Sequence, residues 1–154
     1  MIITLRSTLA LVTAASVLTA CGKKDEAPAV DTTATMAPAP APPAAVTSTE
    51  LGKRLGPNSR VADTTSVFAR RDTVYLSVIT ENTTPTSTLM ARWKFQNGQV
   101  VDSTSQTVAA AGSGSQSVTE FHVANPRGWP AGKYTVDVLL DGQQVASRSF
   151  EVRR

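Results

Sequence analysis

The side chains that most often carry covalent or metal chemistry are nearly missing: 154 residues hold one cysteine, Cys21, and one histidine, His122. A disulfide framework, a cysteine-ligated zinc site and a catalyst built on several histidines are excluded at once. Aromatics are scarce, two Trp, two Tyr and four Phe, and all of them lie between Phe68 and Phe150. Five of the nine prolines crowd instead between Pro28 and Pro43. A proline-rich segment without aromatics cannot bury enough surface to offset its ordering entropy, so the fold is expected in roughly the last hundred residues. Charge of one sign is lacking too: the net charge is +3 and the cations are spread rather than gathered into a stripe, which argues against a nucleic-acid partner. No Gly-x-Ser-x-Gly elbow, His-Glu-x-x-His pair or phosphate loop is present.

The chain opens MIITLRSTLALVTAASVLTAC, one positive charge at Arg6 and then an uncharged run from Ser7 to Leu18. This is the basic-then-apolar plan of a secretory signal, and it is too short for a spanning helix. It closes on Leu18-Thr19-Ala20-Cys21, a leucine three before a cysteine and a small residue directly before it, and so resembles the lipobox of bacterial lipoproteins. The resemblance implies diacylglycerol transfer to the Cys21 sulfur, cleavage before Cys21 and acylation of the new amino terminus. Thr19 stands where that family more often has Ser or Ala. Lipidation would consume a lone thiol that is otherwise a redox liability in an exported protein. The other reading of the same residues is an ordinary secretory signal that ends in cysteine. Each buried methylene contributes about 0.8 kcal/mol, so one acyl chain holds weakly and two or three hold firmly. Gly22 follows, whereas an Asp there resembles the enterobacterial signal for inner-membrane retention. In a Gram-negative source, Gly22 favours the outer membrane, with the domain facing the periplasm and exposure at the cell surface as the alternative.

From Lys23 to Thr49 the sequence KKDEAPAVDTTATMAPAPAPPAAVTST has no periodic apolar pattern. Its Ala-Pro repeats favour extended polyproline II geometry, and at about 3.1 Å per residue roughly 27 residues reach about 80 Å. A spacer is the simpler reading; a ligand for an aromatic groove is the alternative. The expected layout is a signal at 1–20, a lipidated cysteine and disordered tether at 21–50, and a folded domain at 51–154.

Beyond Glu50 the chain turns to short runs rich in Val, Thr, Phe, Tyr and Ser. Candidate strands are Ser66 to Ala69, Thr73 to Thr80, Leu89 to Phe95, Gln99 to Thr107, a run through Thr119, Phe121 and Val123, Tyr134 to Leu140, and Gln144 to Val152. The second is apolar on both faces and is expected to be central. Leu89, Ala91, Trp93 and Phe95 share one face of the third, and Tyr134, Val136, Val138 and Leu140 one face of the sixth. Asn97-Gly98 predicts a type I′ hairpin turn and Asp141-Gly142 a second turn. A parity shift between Val145 and Phe150 predicts a bulge.

About seven short strands separated by turn signals form the pattern of an all-β, antiparallel β-sandwich. An inward Trp93 on the third strand, with Tyr134 opening the sixth, sharpens it toward an immunoglobulin-like version. Val136 would then stand where that fold often keeps a cysteine. The segment PRGWPAGKYTVDVLLDGQQVASRSFEV resembles the closing hairpin of small Ig-like domains on bacterial envelope proteins, a resemblance that implies fold and no activity.

His122 is the sole ordinary general-base candidate, but its neighbours Phe121 and Val123 are assigned inward, which turns it to solvent. Asp63, Asp72, Asp137 and Asp141 do not form the dense ligand set of a calcium loop, and Asp141 suits a turn. Neither a catalytic residue, a metal site nor a cofactor is expected. Arg127 and Trp129 in ANPRGWPAGK are the binding candidates, since Arg and Trp are enriched at hot spots; Trp129 can equally close the open end of a sandwich. Arg70-Arg71 and Arg153-Arg154 can touch an acidic surface or form a charged edge that blocks aggregation. The expected function is a non-enzymatic binding or assembly module, held at the membrane through Cys21 and recognising an envelope protein. The alternatives are carbohydrate binding on Trp129 and a hydrolase using two carboxylates on cell-wall glycans.

Overall fold

A computed structural model describes residues 40–154. The expected signal, Cys21 and most of the tether lie outside these residues. Eight strands run through the described part: β1 (Ala45–Gly52), β2 (Val67–Ala69), β3 (Val74–Glu81), β4 (Thr88–Phe95), β5 (Val100–Thr107), β6 (Gln116–Val123), β7 (Gly132–Leu140) and β8 (Gln143–Arg153). They form a three-stranded sheet in the order β1-β3-β6 and a five-stranded sheet in the order β2-β8-β7-β4-β5. Pairing is antiparallel except between β2 and β8, which run parallel.

Period-two alternation explains which faces meet. Leu76, Val78, Phe121 and Val123 from the smaller sheet share one core with Leu89, Ala91, Trp93, Tyr134, Val136, Val138 and Phe150 from the larger. Strand β3 is central and buried along most of its length, as its two apolar faces require. Phe150 binds the aromatic centre together: its ring stacks on Tyr134 at 5.2 Å between centroids and meets Trp93 and Phe68 edge-on. The Tyr134 hydroxyl donates 2.8 Å to the carbonyl of Pro130, four residues back, which makes the expected tyrosine corner. With Trp93 buried on β4, the sandwich is immunoglobulin-like.

Three expectations are corrected. The domain starts earlier than residue 51, because Ala45 to Gly52 pair with β3; their hydroxyl-rich alternation was masked by the proline run in front. The number of strands is therefore eight, not about seven. Asn97-Gly98 does not make a type I′ turn: only Gly98 has positive φ, at 84°. The Asn97 side chain accepts the N–H of Gln99, and Gly98 N–H donates to the Phe95 carbonyl, giving a three-residue loop with glycine in the left-handed position. The primed geometry appears instead at Asp141-Gly142, with φ of 50° and 83°. The predicted bulge in the last strand is present: Val138 pairs with Ala146 and Leu139 with Gln144, so Val145 is the extra residue, and it is exposed.

Candidate functional site

Strand direction sorts the loops to two ends of the sandwich. Ala45, where the chain enters β1, lies opposite Glu81, at the end that also holds the Asp141-Gly142 turn. The other end carries the exits of β2, β6 and β8 and the entry to β7. All four arginines that line a concavity of about 430 Å³, Arg70, Arg71, Arg127 and Arg154, belong to this second end.

Two tight turns build that surface. In the first, Asp72 N–H donates to the Ala69 carbonyl at 3.1 Å while the Asp72 carboxylate accepts the Ala69 N–H at 2.8 Å, so Arg70 and Arg71 occupy the two central positions. In the second, Gly128 N–H donates to the Asn125 carbonyl at 2.8 Å and the Asn125 side chain accepts the Arg127 N–H at 3.0 Å. Pro126 sets the first central position, Arg127 fills the next, and Gly128 follows with a φ of 81° that favours glycine. The turns are tied to each other through Arg70. Its carbonyl accepts the Trp129 N–H at 2.7 Å and its Nε donates to the Trp129 carbonyl at 3.1 Å. A Cβ at position 128 would lie 3.4 Å from the Arg70 carbonyl oxygen, so a glycine there lets the two turns approach.

Electrostatics set this end apart. Asp72 is bound by Lys53 at 2.8 Å, which with the Ala69 N–H holds its carboxyl below the usual range. Glu151 is bound by Arg153 at 3.2 Å. Among the described residues, Arg70, Arg71, Arg127 and Arg154 have no ion-pair partner, and no acid lines their concavity.

The sequence-predicted residues separate here. Arg127 is exposed and joins the arginine cluster. Of the two roles weighed for Trp129, the structural one is observed. Its ring is only 3% exposed, its indole N–H donates to the Asp72 carbonyl at 3.0 Å, and it packs edge-on against Tyr134. It offers no open face for stacking a sugar, which corrects the carbohydrate-platform expectation. His122 is exposed and bonded to Glu120 at 2.8 Å. Cys21 is outside the described residues.

Each acid of the described domain has a partner. Glu50 meets Arg60, Asp63 meets Arg54, Glu81 accepts from Gln116 and Asp102 from Thr104. Asp137, nearly fully buried, binds Lys94 at 2.5 Å and accepts the Ser147 hydroxyl at 2.9 Å. Asp141 ties its turn to the start of β4: its carboxylate accepts the Thr88 N–H at 2.8 Å and its own N–H donates to the Thr88 carbonyl at 2.9 Å. No group of three or more His, Cys, Asp or Glu side chains suited to a metal ion occurs among the described residues.

No family model matches the chain, and no curated protein sequence does so. Among solved structures, an alkylpurine DNA glycosylase from Pseudomonas fluorescens, bound to DNA containing an abasic site analog, is 20% identical with a TM-score of 0.46. That match covers 72% of this chain and 30% of the glycosylase, so the chain spans less than a third of that protein. An immunoglobulin-like protein from Pseudomonas aeruginosa is 13% identical with a TM-score of 0.52, and the match covers 75% of this chain and 100% of that one. This second likeness is one of fold, and it agrees with the immunoglobulin-like sandwich built above from strand order, Trp93 and the Tyr134 corner.

Proposed function

We propose that the protein is a lipoprotein of the bacterial cell envelope, anchored through Cys21, whose Ig-like domain is a non-enzymatic binding or assembly module. The observation that supports the module reading is how the domain spends its polar groups. Its acids and its one histidine are engaged in bonds that hold turns, strand ends and sheet faces, whereas the arginines at one end remain available. A reactive centre needs groups poised near a substrate position, while a binding module needs exposed, rigidly mounted ones. The anchoring half of the proposal rests on Leu18-Thr19-Ala20-Cys21 alone. An outer-membrane location, with the domain in the periplasm and an envelope protein as partner, is the arrangement that Gly22 and the tether favour.

The test is crosslinking in intact cells of the natural source, with purification through a carboxy-terminal tag beside a Cys21→Ser control. The expected result is a mature chain that pellets with membranes, carries acyl mass on Cys21 and captures a defined envelope protein that the control loses. An unacylated, soluble mature chain overturns the anchor. Turnover of wall fragments by the purified protein overturns the non-enzymatic reading.

A further inference from the structure

We propose that the arginine end is a binding site for phosphate oxyanions. The inference rests on the reading of the domain as a binding module, not on the lipid anchor.

Four arginines line one concavity, a concentration of like charge that an anion would relieve, and the acids of this end are already taken by Lys53 and Arg153. The charge is therefore left uncompensated by the fold. It is also mounted with little freedom of its base. Arg70 is pinned through its Nε and its carbonyl to Trp129, its terminal nitrogens make no ion pair, and one of them lies close to Gly128. Arg127 stands on a turn fixed by Asn125 and Pro126, and Arg71 on one closed by Asp72. Trp129, buried behind both turns, makes their spacing a property of the core rather than of the surface.

Arginine suits this chemistry because its planar fork can offer two parallel N–H donors to one phosphate or carboxylate. A carboxylate ligand would be neutralised by one such charge; four arginines line this concavity, which fits the higher charge of a phosphate ester or diphosphate. The concavity, of about 430 Å³, is open to solvent, so an anion there would be held by charge and not by enclosure. The end opposite to this one receives the chain at Ala45, so a module held from that side presents the arginines away from its point of attachment. The phosphate can belong to a free diphosphate or to a lipid headgroup, and the two sources share the recognition chemistry.

The test titrates the full chain calorimetrically with pyrophosphate, comparing wild type, the double variant Arg71→Gln/Arg127→Gln and the charge-matched control Arg54→Gln/Arg60→Gln. The expected outcome is saturable binding by wild type, weakened at least tenfold in the first variant and less than twofold in the control. A third variant, Arg71→Lys/Arg127→Lys, keeps the charge and loses the fork, and is expected to bind at least threefold more weakly than wild type. Circular dichroism establishes that each variant is folded. Absence of saturable binding by wild type, or equal losses in the cluster variant and the control, overturns the inference. Flotation with phosphatidylglycerol against phosphatidylcholine vesicles then assigns the source, because the anchor contributes equally in wild type and variant. An excess of flotation with phosphatidylglycerol over phosphatidylcholine that disappears in Arg71→Gln/Arg127→Gln supports the headgroup; the same flotation in wild type and variant beside lost pyrophosphate binding supports the free ligand. If pyrophosphate fails to bind while an envelope partner is still captured, this inference falls and the module reading stands.

Discussion

Replacing Tyr134 by Phe removes one oxygen from a buried ring and leaves its packing on Phe150, Phe95 and Trp129 in place. The lost bond is that from the hydroxyl to the Pro130 carbonyl, at 2.8 Å. A neutral hydrogen bond contributes about 0.5–1.5 kcal/mol net, and Pro130 is exposed, so water can partly replace the lost donor. The expected cost is about 1 kcal/mol, which lowers Tm by roughly 5 °C for a domain of this size. Urea denaturation followed through the fluorescence of Trp93 and Trp129, both buried, measures it with an unchanged slope. A second reading comes from pH. Burial raises the Tyr134 phenol above its ordinary value. An acid whose folded value is raised binds its proton longer in the folded state than in the unfolded one. Its stabilisation is complete below about pH 10, the unfolded value, and is lost as the pH rises through the higher folded value. Wild type should therefore lose stability above about pH 10 while Tyr134→Phe lacks that slope, so the gap between them narrows there. A cost below about 0.3 kcal/mol, or a gap that stays constant to pH 11, would refute the tyrosine-corner reasoning.

The other expectations concern how the arginine end of the sandwich is held. Trp129→Ala removes a buried ring and its bond to Asp72, and should cost about 3–5 kcal/mol in chemical denaturation; a loss under about 1 kcal/mol would mean the ring is not part of the core. Gly52→Ala places a methyl 2.5 Å from the backbone oxygen of Asp63, and a loss of about 2–4 kcal/mol is expected, since backbone cannot yield as a flexible side chain does. Asp72→Ala should cost about 1 kcal/mol at pH 7 by removing the acceptor of Ala69 N–H and the partner of Lys53. Its carboxyl value is lowered in the folded state, so that advantage is present above about pH 4 and is lost as pH falls through the folded value. Thermal melts from pH 7 to pH 2.5 check it, and a difference that persists undiminished at pH 2.5 would contradict it.

Most of the sandwich was legible because its strands obey one local rule. Wherever one face is core and the other wetter, apolar residues alternate, and Leu89, Ala91 and Trp93 on β4 are buried as their spacing required while Met90, Arg92 and Lys94 between them are not. The same rule located the bulge, since an inserted residue reverses the parity and Val145 does so. It failed at β1, whose outer half is exposed and hydroxyl-rich and whose pairing comes from β3, some thirty residues away. Turn type was read from a dipeptide, yet it depends on the register of the flanking strands. Val101 is an extra residue on β5, between the partners of Trp93 and Lys94, and the loop at Asn97-Gly98 takes the three-residue form beside that irregularity.

The candidate site was less legible than the fold, for a reason visible in its bonds. Arg127 and Trp129 stand two positions apart in the sequence and invited one shared role, but Gly128 between them takes a left-handed φ of 81° that turns the chain, so the same-face spacing of a strand does not hold. Trp129 went inward and Arg127 outward. What joined Arg127 was Arg70 and Arg71, through bonds that cross 57 and 59 positions of sequence. A count of cations sees only a small net charge, and spacing along the chain sees only dispersed pairs. The cluster exists because β2 and β8 run parallel, which brings their exits, and hence Arg70 and Arg154, to one end, and because β6 also finishes there. Strand topology therefore converts an evenly scattered charge into a polarised one. Of the eight other cations in the described domain, five are held in ion pairs and Arg92, Lys133 and Arg148 are not, so the four arginines around one concavity are the largest group of unpaired charge.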